Sequence, residues 1–318
     1  SIYYLVHSLN KVYNIIVLTV RHEKSLKKYD KIFNVNIVRS DYLFSVSRSK
    51  YSFSLILNFL QLVRKHNLIF INSPCSNILP LSIFAKLFGK KLYIFHQGDL
   101  VLPKTILNKL IEKIFDLFSL ISFSIADKVS TYVDDYAKKS RILKHFMYKF
   151  YPLLLPIDPI YSNQKKASKL IGKKNKILFG FAGRFVQEKG FDILFSAIPF
   201  IKKKIPDAHF LFAGETNVAY EDFYKKNLAL LNSVKKDITI LGLLDDKKLR
   251  EFYEKIDFVI IPSRSDCFNL VQAEAMLSGV PSIASEIPGL RVLVQKTGFG
   301  VLFKKEDSQD LARVVIDA

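Results

Sequence analysis

The sequence predicts an α/β protein of two domains, each built on a parallel β-sheet wound with helices. The chain has 318 residues, too many for one ordinary core and enough for two. Short runs rich in β-branched and aromatic residues alternate with helix-like stretches, which is the pattern of parallel sheets. A proline-rich connector separates two such alternating series.

The first series fills the N-terminal half and opens with a helix at Ser1 to Val6. Helix-like stretches separate its strands, as crossovers between parallel strands require. The predicted strands are Asn14 to Val20, Asn34 to Val38, Leu68 to Asn72, Lys91 to Phe95 and Lys128 to Val133.

The second series has predicted strands at Lys176 to Ala182, His209 to Ala213, Ile238 to Leu241, Phe258 to Ile261, Pro281 to Ala284 and Gly300 to Phe303. Between the two series, Tyr151 to Pro159 holds three prolines, and a polar, lysine-rich stretch follows it to Asn175. Such a segment is typical of an extended connector. We therefore predict a first domain at 1–155, a linker at 156–175 and a second domain at 176–318.

A glycine-bounded loop from Gly183 to Gly190 carries two cations five residues apart, Arg184 and Lys189. The apolar-periodic run Phe191 to Ile198 follows it and is predicted to be a helix. An arginine fork and a lysine charge can share the oxygens of a diphosphate, and the N-terminus of the following helix favours the same anion. The loop therefore predicts a diphosphate site.

A second motif spaces two carboxylates eight residues apart, Asp266 and Glu274. Asp266 is expected in the loop after the strand Phe258 to Ile261, and Glu274 in the helix that runs to Ser278. Carboxylates so placed can accept hydrogen bonds from sugar and ribose hydroxyls. Together the two motifs predict a sugar-nucleotide site.

These residues resemble those of the retaining glycosyltransferases of the GT-B fold, the group often called family 4 or glycosyl transferases group 1. The agreeing blocks are, in order, Phe179 to Arg184, Glu188 to Asp192, Phe210 to Glu215, Ile240 to Gly242, Leu249 to Tyr253, Pro262 to Asp266 and Glu274 to Pro281. A fainter resemblance in the first half rests on His96 to Asp99 and Ala126 to Val129. The resemblance implies two Rossmann-like domains whose parallel sheets face each other across a cleft, the first binding the acceptor and the second the nucleotide sugar.

The resemblance also implies the site residues. Four are expected to be catalytic: Arg184 and Lys189 on the diphosphate, Asp266 on the donor sugar and His96 beside sugar and acceptor. A hydrogen-bonded core histidine is the alternative for His96. The expected donor-binding residues are Gly183, Gly242, Phe268, Asn269, Leu270 and Glu274, with Glu274 on the ribose hydroxyls. No metal and no other cofactor is expected, because the two cations would balance the diphosphate.

Two positions depart from the family. Asp266 stands where glutamate is usual, and it withdraws the charge by one methylene, roughly 1.5 Å. Asn269 stands where glycine is frequent. Asparagine tolerates the left-handed backbone region, so the backbone amides of this turn can still face the sugar. The side chain of Asn269 is expected to crowd a site that glycine leaves open.

The predicted function is transfer of a sugar from a nucleotide-diphosphate sugar to an acceptor hydroxyl with retention, in the synthesis of a glycan, glycolipid or cell-surface polysaccharide. One alternative is a non-catalytic binding or scaffold protein of the same fold. Another is a synthase that makes a soluble disaccharide or sugar phosphate.

Charge is distributed unevenly along the chain. Residues 1–150 contain 23 Lys and Arg against 9 Asp and Glu, whereas the remainder contains 25 against 20. A basic first domain suggests an anionic acceptor, such as a lipid-phosphate carrier, or an anionic membrane surface. A solvated lysine-rich surface is the alternative. The hydrophobic helix expected at Thr105 to Ser124 supports membrane contact, and core packing explains it equally well.

No apolar run is long enough for a transmembrane helix. We predict a cytoplasmic protein with peripheral association at the inner face of the membrane. The two cysteines, Cys75 and Cys267, form neither a disulfide framework nor a zinc motif and indicate a reducing compartment. Motifs for nucleic-acid binding and the glycine fingerprint of a dinucleotide-binding oxidoreductase are absent from the sequence.

Both ends of the chain suggest a fragment. Members of the resembled family place a strand and a glycine-containing loop ahead of the helix expected at Ser1. They also continue with further helices after the one that starts at Asp307. We therefore expect the first strand and the C-terminal helices to be missing here.

Overall fold

Two units make up the chain, Ser1–Pro156 and Ile157–Ala318. The computed structural model describes residues 2–46, 49–102, 105–154, 156–157, 176–218 and 221–318. Most of the predicted linker, residues 158–175, lies outside the described residues. The domain bounds drawn from the sequence therefore remain a prediction.

The first unit contains five helices and eight strands among its described residues. In chain order they are α1 (Ile2–Leu9), β1 (Ile16–Val20), β2 (Tyr29–Ile32), β3 (Val35–Ser40), β4 (Phe44–Val46), β5 (Ser49–Tyr51), α2 (Phe53–Val63), β6 (Leu68–Ser73), α3 (Ile78–Leu87), β7 (Lys91–His96), α4 (Ile106–Ile125), β8 (Lys128–Ser130) and α5 (Asp134–Lys139). A 3-10 helix at Leu143–Lys149 follows them.

The strands of the first unit form two three-stranded sheets and a hairpin. One sheet has the order β6-β7-β8 and is parallel. The other has the order β1-β3-β2, with β1 parallel and β2 antiparallel to β3. The prediction of one parallel sheet for this half is therefore wrong in detail, because the strands form two sheets and a hairpin and β2 is antiparallel to β3.

The strands β2, β4 and β5 were not predicted. The turn between β2 and β3 consists of Phe33 and Asn34, with φ of 48° and 62°. Two successive positive φ angles are those of a type I′ hairpin turn, which Asn-Gly or Asp-Gly usually signals. Phe-Asn gives no such signal, and the strand Tyr29–Ile32 is mostly exposed. Neither the turn chemistry nor the apolar pattern therefore indicated this hairpin.

Helices α2, α3 and α4 bury their apolar faces in one core with the parallel sheet of the first unit. Helix α2 starts where the side chain of Ser52 accepts a hydrogen bond from the backbone N–H of Leu55. Its buried residues, Leu55, Phe59 and Val63, are spaced four apart and so lie on one face. They join the cluster that includes Leu92 and Ile94 of β7.

The described part of the second unit contains β9 (Ile177–Ala182), α6 (Phe191–Lys204), β10 (Ala208–Ala213), α7 (Phe223–Lys226), α8 (Leu228–Ser233), β11 (Ile238–Gly242), α9 (Asp246–Lys255), β12 (Phe258–Ile261), α10 (Leu270–Leu277), β13 (Ser282–Ser285), α11 (Arg291–Thr297), β14 (Gly300–Phe303) and α12 (Ser308–Asp317). Each of the six predicted strands corresponds to an observed one within a residue at either end.

These strands form one sheet in the order β11-β10-β9-β12-β13-β14, and all neighbours are parallel. The chain runs outward from β9 to β11, returns to β12 beside β9, and then runs outward the other way. The order reverses between β9 and β12. Open parallel sheets bind ligands outside the carboxyl ends of the strands at such a reversal.

A cluster of phenylalanines forms the core beneath that edge. Phe185 lies in the loop after β9 and is fully buried, with its ring centroid 4.9 Å from that of Phe191 on α6 and 5.9 Å from that of Phe212 on β10. Aromatic pairs at these separations add to the burial of their apolar area. The cluster therefore fixes the loop that carries Arg184.

Across the described ranges, no helix combines the length and the apolar character that crossing a membrane requires.

Candidate functional site

The loop after β9 has an exposed cation between two residues whose backbone N–H groups are hydrogen-bonded. The N–H of Gly183 donates to the carbonyl of Ala213 at 2.9 Å, and the N–H of Phe185 donates to the carbonyl of Glu215 at 3.0 Å. Arg184, between these two anchored residues, is exposed. The local backbone is thus held on both sides of the arginine.

A 3-10 turn at Gln187–Lys189 leads into α6 through Gly190, whose φ is 67°. A Cβ on Gly190 would overlap the carbonyl oxygen of Pro262 at the end of β12. Glycine is needed there for the left-handed conformation and for the close approach of the two backbones. The loop after β9 is thereby seated on the end of β12.

The loop after β12 is shaped by Asn269. Its Oδ1 accepts from the backbone N–H of Gln272 at 3.0 Å and so caps α10, while its Nδ2 donates to Asp266 Oδ2 at 2.9 Å. Its φ is −102° and its ψ 109°. Asn269 does not use the left-handed conformation that asparagine tolerates, because a helix N-cap takes extended backbone angles. The side chain points its two polar atoms at the helix and at Asp266.

Lys189 and Asp266 form an ion pair that joins the two predicted motifs. Lys189 Nζ lies 2.8 Å from Asp266 Oδ1 and 3.0 Å from Oδ2. The side chains are 19% and 10% exposed. Burial opposes the charge on Lys189, but the carboxylates of Asp266 and Glu188 outweigh it and raise the pKa of Lys189 above its usual value. The lysine is held as a cation at the reversal of strand order.

The backbone of Asp266 is packed closely as well. A Cβ on Gly289 would lie 2.5 Å from the carbonyl oxygen of Asp266. The next residue, Cys267, is buried, and burial together with the charge of Asp266 raises the pKa of its thiol to about 12. A thiol in that state is not a nucleophile at neutral pH. Phe268 is buried, and Leu270 is half-buried at the first turn of α10.

Glu274 lies on α10 and receives a hydrogen bond that the sequence did not predict. Tyr253 Oη, on α9, donates to Glu274 Oε2 at 3.0 Å. Tyr253 is fully buried, so its hydroxyl has a fixed position. The tyrosine therefore orients a carboxylate that is itself half-buried.

Arg264 is the second residue that sequence reasoning missed. Its guanidinium binds both carboxylate oxygens of Asp192 at 2.9 and 2.7 Å and the carbonyl of Gln187 at 2.7 Å. Its backbone N–H donates to the carbonyl of Glu188 at 2.8 Å. The hydrogen bonds that Arg264 donates to Asp192, together with the charge of that carboxylate, raise the pKa of Arg264. Arg264 thus ties the loop after β12 to the turn that carries Lys189.

Not every predicted residue lies at this reversal. Gly242 ends β11, which β10 separates from β9, and its carbonyl accepts from the N–H of Gly214 at 2.8 Å. The residues on the loops after β9 and β12 are those that the fold brings together.

His96 ends β7 in the first unit and is 2% exposed. Its Nδ1 lies 3.1 Å from Ser73 Oγ, and its Nε2 lies 3.0 Å from Asp99 Oδ1. Both ring nitrogens are thus engaged inside the first unit. This arrangement corresponds to the hydrogen-bonded core histidine, the alternative interpretation of His96.

Asp99 is the centre of that network. It also accepts from Ser140 Oγ at 2.7 Å and from the N–H of Arg141 at 2.8 Å. Burial would raise its pKa, but the hydrogen bonds and the charge of His96 outweigh burial and lower it to about 2. The carboxylate is therefore ionised in all ordinary conditions.

Among the residues that the structure describes, no three His, Cys, Asp or Glu side chains are grouped as a metal site would require.

Residues 176–318 match the family model described as Glycosyl transferases group 1. An uncharacterized glycosyltransferase of Methanocaldococcus jannaschii is 32% identical over 139 residues, which cover 43% of this chain and 36% of that protein. The chain thus spans less than half the length of the curated relatives it matches first.

Solved structures extend the likeness to the whole chain at the level of the fold. Sucrose-phosphate synthase from Thermosynechococcus elongatus superposes with a TM-score of 0.75 at 16% identity, over 97% of this chain and 80% of that one. HepE from Anabaena, in complex with UDP and glucose, gives a TM-score of 0.69 at 18% identity, over 90% and 76%. These are GT-B structures, and the chain has their fold. Its second unit, with the two loops that meet between β9 and β12, belongs to the glycosyl transferases group 1.

Proposed function

We propose that the chain transfers a sugar, with retention, from a nucleotide-diphosphate sugar to an acceptor hydroxyl. The observation that carries the proposal is the Lys189–Asp266 ion pair. It joins the glycine-bounded cationic loop to the carboxylate loop at the reversal of the sheet, where open parallel sheets bind ligands. The family match of the second unit supports the same activity.

Arg184 and Lys189 would hold the donor diphosphate together with the N-terminus of α6. A diphosphate carries more charge than one carboxylate, so it can draw Lys189 Nζ away from Asp266. Breaking the bond from the anomeric carbon to phosphate oxygen leaves charge on the departing nucleoside diphosphate. Fixed cations at that point stabilise the charge as it develops, which lowers the barrier.

Asp266 would then accept hydrogen bonds from hydroxyls of the donor sugar, and Glu274 from those of the ribose. The hydrogen bonds from Asn269 and Tyr253 hold these two carboxylates before any ligand arrives. Preorganised acceptors need less rearrangement on binding. The donor site would also be lined by backbone groups of Gly183, Phe268 and Leu270.

For the acceptor, we propose an anionic or lipid-linked molecule that binds the basic first unit, in glycan, glycolipid or cell-surface polysaccharide synthesis at the inner face of the membrane. The excess of 23 Lys and Arg over 9 Asp and Glu in residues 1–150 supports this. A synthase of a soluble disaccharide or sugar phosphate is the second candidate. The fold shared with sucrose-phosphate synthase favours it.

The test is calorimetric binding of UDP, GDP and ADP to the chain. HepE was crystallised with UDP, so UDP is tried first. We expect one nucleotide to bind and Arg184→Ala to weaken it, whereas Arg313→Ala, an exposed arginine on α12, should leave it unchanged. No binding of any nucleotide by folded protein would contradict the donor site. Hydrolysis of the matching nucleotide sugar would distinguish an enzyme from a non-catalytic relative.

A further inference from the structure

The outer side of α4 carries an exposed apolar stripe. Five aliphatic residues, spaced three or four apart, form it: Leu107, Leu110, Ile114, Leu117 and Ile121. Their exposed fractions run from 39% to 67%. Such spacing places the side chains on one helix face over about 21 Å of length. We call these five residues the outer stripe.

The neighbouring helices also carry exposed apolar side chains. Helix α3 packs against both α2 and α4. Phe53 and Leu57 on α2 and Ile83 and Leu87 on α3 are exposed. Single exposed apolar side chains are ordinary, but several of them on each of three packed helices favour contact with another molecule or with a membrane.

The charge on this helix layer is of one sign. The segments 53–65 and 78–91 contain five Lys and Arg and neither Asp nor Glu. Lys109 and Lys113 flank the outer stripe and are exposed. Lys86 of this layer is paired with Asp127 at 3.0 Å, and Lys91 lies 4.0 Å from the same carboxylate. The surface therefore combines apolar side chains with the remaining positive charges, those of Arg64, Lys65, Lys90, Lys109 and Lys113.

Of the two carboxylates of α4, Asp116 is balanced by Arg141 of the first unit, whereas Glu112 bonds a neutral backbone N–H and keeps its charge. Glu112 accepts from the backbone N–H of Leu102 at 2.6 Å. Asp116 accepts from the guanidinium of Arg141 at 2.9 and 3.2 Å.

We propose that the outer stripe, with the apolar side chains of α2 and α3, docks on an anionic lipid bilayer. A helix with aliphatic residues on one face and lysines beside them lies in the membrane interface, with its apolar face among the acyl chains and its lysines at anionic headgroups. A second copy of the chain fits less well, because lysines of like charge would meet across such an interface. The docking specifies the membrane contact of the proposed function.

The test measures sedimentation of the chain with vesicles of phosphatidylcholine alone and of phosphatidylcholine with phosphatidylglycerol. We expect binding to the anionic vesicles only, weakening as salt is added. The double change Leu110→Ser and Leu117→Ser should weaken binding by about tenfold or more. The double change Lys109→Glu and Lys113→Glu should weaken it by about tenfold and reduce its salt dependence.

Matched controls come from exposed positions of the second unit. Leu243→Ser removes an exposed leucine, and Lys235→Glu with Lys236→Glu reverses two exposed lysines; both should bind like the unaltered chain. The proposal is overturned if the unaltered chain ignores anionic vesicles, or if the α4 variants bind as the controls do. A dimer in light scattering that the α4 leucine changes dissociate would also overturn it, and would assign the surface to a second copy. UDP binding, measured on the same samples, tests the donor site separately, since vesicle binding requires no nucleotide.

Discussion

The two units each place a polar cluster at the carboxyl ends of parallel strands. The clusters differ in whether a charged side chain at their edge is exposed. In the first, Asp99 is bonded by His96, Ser140 and the backbone of Arg141. In the second, the Lys189–Asp266 pair lies beside an exposed arginine, Arg184. A cluster whose polar atoms are bonded to one another within the fold stabilises it. A cluster that keeps an exposed charge at its edge can exchange an internal partner for a ligand.

The largest effect is expected at the exposed edge of the second cluster. Arg184→Ala should lower turnover of the nucleotide sugar by about a hundredfold or more, because it removes a fixed charge from the departing diphosphate. Steady-state kinetics with the nucleotide that calorimetry identifies would measure this. Unchanged kcat/KM in Arg184→Ala would disprove the phosphate assignment.

The cluster around Asp99 should affect stability rather than chemistry. The pKa of Asp99 is lowered from 3.8 to about 2, so its carboxylate stabilises the folded form above pH 4 by about 2 kcal/mol, and this contribution is lost as pH falls toward 2. Asp99→Asn should lower the free energy of unfolding by about that amount at neutral pH. The difference from the unaltered chain should narrow below about pH 4.

Denaturant unfolding followed by circular dichroism at several pH values checks this. Asp134→Asn is the matched control, because Asp134 pairs with Lys138 on an exposed surface, where such pairs contribute little. If Asp99→Asn weakened nucleotide binding as strongly as Arg184→Ala does, the division between a structural and a functional cluster would be wrong.

Arg264 tests whether the second cluster needs its support. Arg264→Ala should lower kcat by about tenfold, since the turn that carries Lys189 loses one side-chain hydrogen bond, at Gln187, and the start of α6 loses two, at Asp192. If the two residues act as a pair, Asp192→Ala should have a similar effect, and the double variant should be little worse than either single one. Additive losses would show that they act separately.

The smallest effect is expected at Tyr253. Tyr253→Phe removes one hydrogen bond to Glu274 while keeping the ring, so nucleotide affinity should fall by a factor of about five. Calorimetry measures this, with Glu274→Ala as the larger reference. Suppose that Tyr253→Phe binds the nucleotide as tightly as the unaltered chain and Glu274→Ala binds it more weakly. Glu274 would then belong to the site, and the hydrogen bond from Tyr253 would not be needed to position it.

Sequence patterns indicated the second unit well because its signals are local and strong. The apolar runs Phe258 to Ile261 and Gly300 to Phe303 became strands with the predicted bounds. Glycines and charges in the two loops were visible in order. In the first unit, β2 and its turn at Phe33 and Asn34 are exposed and their apolar residues do not alternate with polar ones, so the pattern did not distinguish a strand from a loop.

The supports of the site were beyond sequence reasoning for another reason. Arg264 and Asp192 are 72 residues apart, and Tyr253 and Glu274 are 21 apart on different helices. Nothing in their local sequence marks them as partners, since an arginine or tyrosine at such a position has many possible contacts. The capping role of Asn269 was not foreseen, because its hydrogen bond with Gln272 depends on where α10 begins.

The close seating of Gly190 against the carbonyl of Pro262 has a consequence for chimeric proteins. The two loops of the site touch through their main chains, so the backbone conformation of one loop limits that of the other. Consider a chimera that takes the loop ending at residue 190 from one glycosyltransferase and the loop starting at residue 262 from another. Each of its two loops would have a backbone that fits a different neighbouring loop. Exchanges of sugar specificity should therefore move both loops, with Arg264 and Asp192, as one block.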